Sequence, residues 1–254
     1  MEQKNSNTFN MVILSAMKIP GVQIDRNSFL SKELSKHCSE DQVKLAVDYS
    51  PAYAGIEIGL INQIAEGCIS FETNKACSIS AVAGIPGGWA MAGTIPADVA
   101  QFYAHILRIL QKLVYLYSWA DMRDENGKFS DETLNKITIF MGVMFGINAA
   151  IGCLNKVAEG FAKTAAKKIP QMALTKTAWY PIVKKVASYI GIKISKDTIG
   201  RAAAKVIPLL GAGISAALTY FSFRPLAQNL KNHLSILPIA DPNFYKENNN
   251  ENIG

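Results

Sequence analysis

Between Ala97 and Trp119 apolar residues occupy most positions, and the polar residues Asp98, Gln101, His105, Arg108 and Lys112 recur at helical spacing. At 100° per residue these five fall within a stripe about 80° wide. The pattern predicts a long helix of inverted amphipathicity. Pro96 suits its first position, and Asp98 in the first turn faces the positive helix end. A helix apolar around most of its circumference is buried in a core or in lipid, so the narrow stripe must face water, a partner or a ligand. Two readings stay open. In one, the stripe is a solvated edge with surface pairs among Asp98, His105 and Arg108. In the other, it lines a cleft or meets lipid headgroups.

The rest of the chain reads as helix. Residues 1–10 are expected to be flexible, and Asn10 to Ile19 is a short apolar run that suits an amphipathic docking helix before Pro20 and Gly21. A helix is expected over Ser28–His37. A capping box, Ser39 with Gln42, starts another that stops before Pro51. Ser50 and Pro51 begin a further one through Ile56, Leu60, Ile61 and Ile64 towards Gly67. After the charged turn Asp121–Lys128, Ser130 with Asp131 and Glu132 starts a helix expected to run on into Lys156. Ser195 is expected to cap a helix through Ala204, and Ile207-Pro208 to break it. No region alternates with period two over enough residues for a sheet. The fold class is therefore all-α: one helical domain over 11–237, with Gly/Pro-broken apolar hairpins at Gly84, Pro86, Gly87, Gly88 and at Pro208, Gly211, Gly213, and a polar disordered tail over 238–254.

Three stretches, Ala76–Ala97, Ile137–Asn155 and Val206–Phe223, carry no charged residue and approach the roughly 20 residues that cross a bilayer. Each is interrupted by glycine, proline or asparagine. Gly142 and Gly146 form a GxxxG pair, which suits close helix packing in lipid or in a soluble core. The polar N-terminus lacks the pattern of a secretory signal.

Charge adds a second feature. The 254 residues carry 26 basic and 20 acidic side chains, a net charge of +6. Between Lys156 and Lys205, eleven basic residues face two acids, Glu159 and Asp197. Within that segment Val157, Phe161, Ala165 and Ile169 fall on one helical face and Lys163, Lys167 and Lys168 mostly opposite; Tyr180, Val183, Val186 and Ile190 beside Lys184 and Lys185 repeat the arrangement. This is the pattern of a basic amphipathic helix, and near anionic lipid each such lysine is worth about 1 kcal/mol. The alternative is a pair of ordinary helices with lysine-coated outer faces. Nucleic acid is a poorer match, because no aromatic stacking array or binding motif accompanies the charge.

Little points to catalysis. The glycines of GIPGG are not followed by the Lys-Ser/Thr of a phosphate-binding loop, and Gly213-Ile-Ser215 shares one glycine with a nucleophile elbow. Asp98 and His105 lie two turns apart, with no serine or cysteine at a selecting distance. His37 beside Cys38, and His233, form no metal site. Cys38, Cys68, Cys77 and Cys153 lack zinc-type spacing and read as reduced thiols of a cytosolic protein. No cofactor or metal is expected.

Two stretches nonetheless resemble the signature regions of the EcsC protein family. One is Gly84–Asp121, with GIPGG, TIPADVAQFY, Arg108 and the close LVYLYSWAD; the other is Val206–Leu230, IPLLGAGISAALTYFSFRPLAQNL. Together they cover about a quarter of the chain, in the family's order and spacing. Here Ser215 and Ala216 replace a small glycine pair, Thr219 replaces Asn or Asp, and Ser118-Trp119 replaces Tyr-Gly. The resemblance implies a bacterial helical protein, encoded in some members beside an ABC transporter of secretion and processing, and brings no reaction. The combined expectation is a non-enzymatic protein, peripheral to the inner face of the membrane. It would bind anionic lipid through Lys163, Lys167, Lys168, Lys184 and Lys185, or an acyl chain behind the polar stripe. The alternatives are an interaction subunit of an ABC transporter and a hydrolase using Asp98 and His105.

Overall fold

The central helix of the computed structural model is α5, Ala97–Leu116, whose residues from Val99 onward are mostly buried. The structure describes residues 2–82, 97–123, 129–164, 176–204 and 211–250. Around α5 stand α1 (Glu2–Met17), α2 (Arg26–Leu34), α4 (Ile58–Val82), α6 (Asp131–Met144) and α9 (Gly211–Leu234). The remaining helices are α3 (Glu40–Asp48), α7 (Asn148–Thr164), α8 (Lys176–Ala204) and α10 (Pro242–Asn250), with a 3₁₀ turn at Pro238–Ala240. The protein is all-α, and no strand occurs among the described residues.

The stop of α5 is local chemistry. Ser118 takes a left-handed φ of 72°, and Trp119 N–H returns to the Val114 carbonyl, closing the last turn. The Ser118 hydroxyl accepts the Ala52 N–H, and the Trp119 ring meets Phe140 of α6 edge-on at 5.3 Å. The helix starts expected at Ser39 and Ser130 are present: Ser39 with Gln42 caps α3 as a capping box, and Ser130 caps α6 in a further box with Thr133. Arg26 is buried at the start of α2. Its guanidinium donates to the carbonyls of Ala46, Val47 and Tyr49, which neutralises the negative end of α3, and also to that of Trp119. Burial pushes the Arg26 pKa down from its ordinary value.

Several boundaries differ from the sequence reading. The segment expected to be flexible is helical from Glu2: Phe9, Val12, Ile13 and Ala16 recur on one face of α1 and are buried where it packs on α8 and α5. The helix expected at Ser28 begins at Arg26, because Asp25 caps the Ser28 N–H. Pro51 does not start a long helix; residues 51–55 form a turn, and α4 begins at Ile58 and continues through Gly67 to Val82. Ser195 lies within α8 and not at a helix start. The tail is helical as far as Asn250. Asp241 accepts the Asn243 N–H at the start of α10, and Tyr245 is buried against Ala52.

The helix expected to run unbroken from Ser130 to Lys156 is two helices. Gly146, at a φ of 69°, turns the chain so that α6 and the following Asn148–Gly160 segment meet at 117°. Among the described residues no single helix is long and apolar enough to cross a membrane, although this bent pair meets the length and composition together. Gly142 serves packing. A Cβ there would lie 2.5 Å from the Ala150 Cβ and 3.0 Å from Val186, so its missing side chain lets α6, α7 and α8 close on one another.

Candidate functional site

The stripe of α5 has an unforeseen partner. Glu72 of α4, with no solvent-accessible side chain, holds all three of its basic members. His105 Nδ1 lies 3.0 Å from Oε2, Arg108 Nε donates to both oxygens at 3.1 and 3.2 Å, and Lys112 Nζ donates to Oε1 at 2.7 Å. The Lys112 ammonium also sits over the rings of Phe29 and Phe71, at 5.9 and 5.3 Å. Burial by itself would raise the Glu72 pKa, but the His105 hydrogen bond and the charges of Lys112 and Arg108 outweigh it and hold the carboxyl at about 2.

The same helix edge clasps the link between α1 and α2. Arg108 Nη1 donates to the Gly21 carbonyl. Gln111 accepts the Ile24 N–H at 3.0 Å and donates to the Val22 carbonyl at 2.9 Å. Tyr115 O–H reaches the Ile24 carbonyl and the Asp121 carboxylate. Residues 108, 111 and 115 thus read the backbone of 21–24, while 105, 108 and 112 hold Glu72.

This corrects the solvated-edge reading. His105 and Lys112 are buried, Gln101 is half-buried, and Arg108 retains 18% of its side-chain exposure. The three bases of the stripe are turned onto Glu72. His105 is oriented by Glu72, and the Asp98 side chain lies outside the described residues. A cavity bounded by Val114, Trp119, Asp121, Lys136 and Phe140 is only water-sized. Among the described residues no three His, Cys, Asp or Glu groups gather as metal ligands, and no disulfide forms. Cys68, one turn before Glu72, has its thiol pushed up to about 11 by burial.

A second cluster joins α4 to α9: Glu66 accepts from Lys231 at 2.7 Å and from Gln228 at 2.8 Å. Glu66 and Glu72 are thus the anchoring acids of α4 on two neighbouring helices.

The other expected site residues divide sharply. Lys184 and Lys185 are exposed on α8. Lys163 lies in α7, its side chain outside the described residues, as are Lys167 and Lys168 entirely. Gly84, Pro86, Gly87, Gly88 and Pro208 also lie outside them, whereas Gly211 and Gly213 open α9. Not anticipated was the company that the lysines of α8 keep. Tyr180, Tyr189 and Ile192 are exposed beside Lys184, Lys185 and Lys193, while Val186, Ile190 and Ile194 are buried on the opposite side. The Lys193 ammonium lies 5.2 Å from the Phe145 ring and 5.8 Å from Tyr189.

No protein-family model, curated protein or solved structure matches the chain.

Proposed function

We propose that the protein is a non-enzymatic, peripheral membrane-binding helical protein that docks on anionic lipid through the outer face of α8. The carrying observation is the exposure of Tyr180, Tyr189 and Ile192 among Lys184, Lys185 and Lys193. Between Tyr180 and Ile194 the sequence has no acid. Aromatic rings suit the headgroup level, where an apolar body and a polar tip are both satisfied, and lysines add about 1 kcal/mol each near an anionic leaflet. In this reading the Glu72 cluster is structural: it neutralises the bases of α5 and fixes the scaffold that carries the outer helices.

The resemblance to the EcsC family supports a place beside a membrane transport system. A second reading, docking on transporter helices, draws on the exposed pair Tyr220 and Phe221 of α9, the latter 74% exposed. Dependence on a partner protein, and not on lipid charge, would favour it.

Reversing charge at Lys184→Glu/Lys185→Glu tests the first reading. The expected result is at least tenfold weaker binding to phosphatidylglycerol-containing vesicles, with unchanged thermal unfolding. Unchanged binding would refute the assignment of this face.

A further inference from the structure

α1 packs beside α8 and has an exposed side of its own. Lys4, Asn7, Met11, Leu14 and Lys18, the last just past the helix end, are exposed, and at 100° per residue they share a stripe about 80° wide. Met11 and Leu14 keep 47% and 49% of their surface, while Phe9, Val12, Ile13 and Ala16 are buried on the other side. The stripe is thus two apolar residues between two lysines. No acid occurs from Gln3 to Ile24.

The two helices are held together closely. Gly191 of α8 abuts the Asn5 backbone, and a Cβ at 191 would overlap the Asn5 carbonyl. That contact makes α1 and α8 direct neighbours. Each of the two neighbouring helices carries exposed apolar and basic groups.

We propose that α1 is the second helix of the lipid-docking face, with Met11 and Leu14 entering the acyl boundary and Lys4 and Lys18 meeting the phosphates of an anionic leaflet. This rests on the reading of α8 given above. Charge selects the occupant. An antiparallel two-fold contact through the same stripe would set Lys4 against Lys18 with no acid between them, whereas an anionic surface complements both. An amphipathic helix lying in the interface uses this layout, apolar residues inward to lipid and lysines at its flanks.

The test measures binding of the full chain to vesicles of phosphatidylcholine with about 30% phosphatidylglycerol. Met11→Ser/Leu14→Ser removes apolar surface without adding charge, and Lys4→Gln/Lys18→Gln removes the flanking charges; all four positions are exposed, so thermal unfolding should match the parent. Each double variant should bind about tenfold more weakly. Parent-like affinity in either one, while Lys184→Glu/Lys185→Glu has lost binding, overturns the role of α1 and leaves that of α8. Parent-like affinity in the α8 variant overturns both.

Discussion

Lys112 places its ammonium 2.7 Å from Oε1 of Glu72, a carboxylate with no exposed surface, and so ties α5 to α4 at the centre of the molecule. His105 and Arg108 share the same carboxylate, so one acid answers three basic side chains. Losing that acid leaves the Arg108, Lys112 and His105 side chains in a low-dielectric setting without their partner.

Glu72→Gln keeps the shape and removes the charge. It should destabilise the protein by about 3 kcal/mol in chemical denaturation, the scale found when one partner of a buried ion pair is removed. A loss under about 0.5 kcal/mol, typical of a surface position, would mean that the cluster is solvated in solution.

Acid should act through the same group. The folded-state pKa of Glu72, about 2, lies below the usual 4.5, so its contribution is fully present above pH 4.5 and is lost as the pH falls towards 2, where the unfolded chain binds the proton first. Asp25, held to about 2 mainly by the Ser28 N–H and by Arg123, acts in the same direction over the same acid range. Urea midpoints measured from pH 6 to 3 should fall for the parent protein and fall less steeply for Glu72→Gln, leaving the Asp25 share. Equal slopes would refute the assignment to Glu72.

Gly142 makes a packing prediction. Gly142→Ala gains helix propensity, yet its methyl would lie 2.5 Å from the Ala150 Cβ. The overlap should win, with a net loss of about 1–3 kcal/mol in thermal or denaturant unfolding. A stabilised variant would show that α6, α7 and α8 have room to separate.

The helical class, the Ser39–Gln42 capping box, the helix start at Ser130 and the central apolar helix were legible because they depend on local spacing. The orientation of the α5 stripe was not. Periodicity locates a polar face but does not reveal that Glu72, 33 residues before His105, is turned towards it. No signal marks Glu72 in the sequence, because Thr73, Asn74 and Lys75 follow it and give it the company of an ordinary exposed acid. Gln111 and Tyr115 were passed over because they read backbone groups at 21–24, which leave no mark in a side-chain pattern. The α1 boundary failed on composition: the polar opening MEQKNSNTFN hid Phe9, whose burial depends on tertiary packing with α8 and α5. For α8, the lysines were visible in sequence, but only the fold separates exposed Tyr189 and Ile192 from buried Val186 and Ile190.

The most direct test of the central claim is flotation of the purified full-length protein with phosphatidylcholine vesicles and with vesicles that also contain phosphatidylglycerol, at low and high salt. The lysine-rich outer face predicts flotation with the anionic vesicles alone, weakened as salt screens the charge. Equal flotation with neutral vesicles, or none with either, would contradict it.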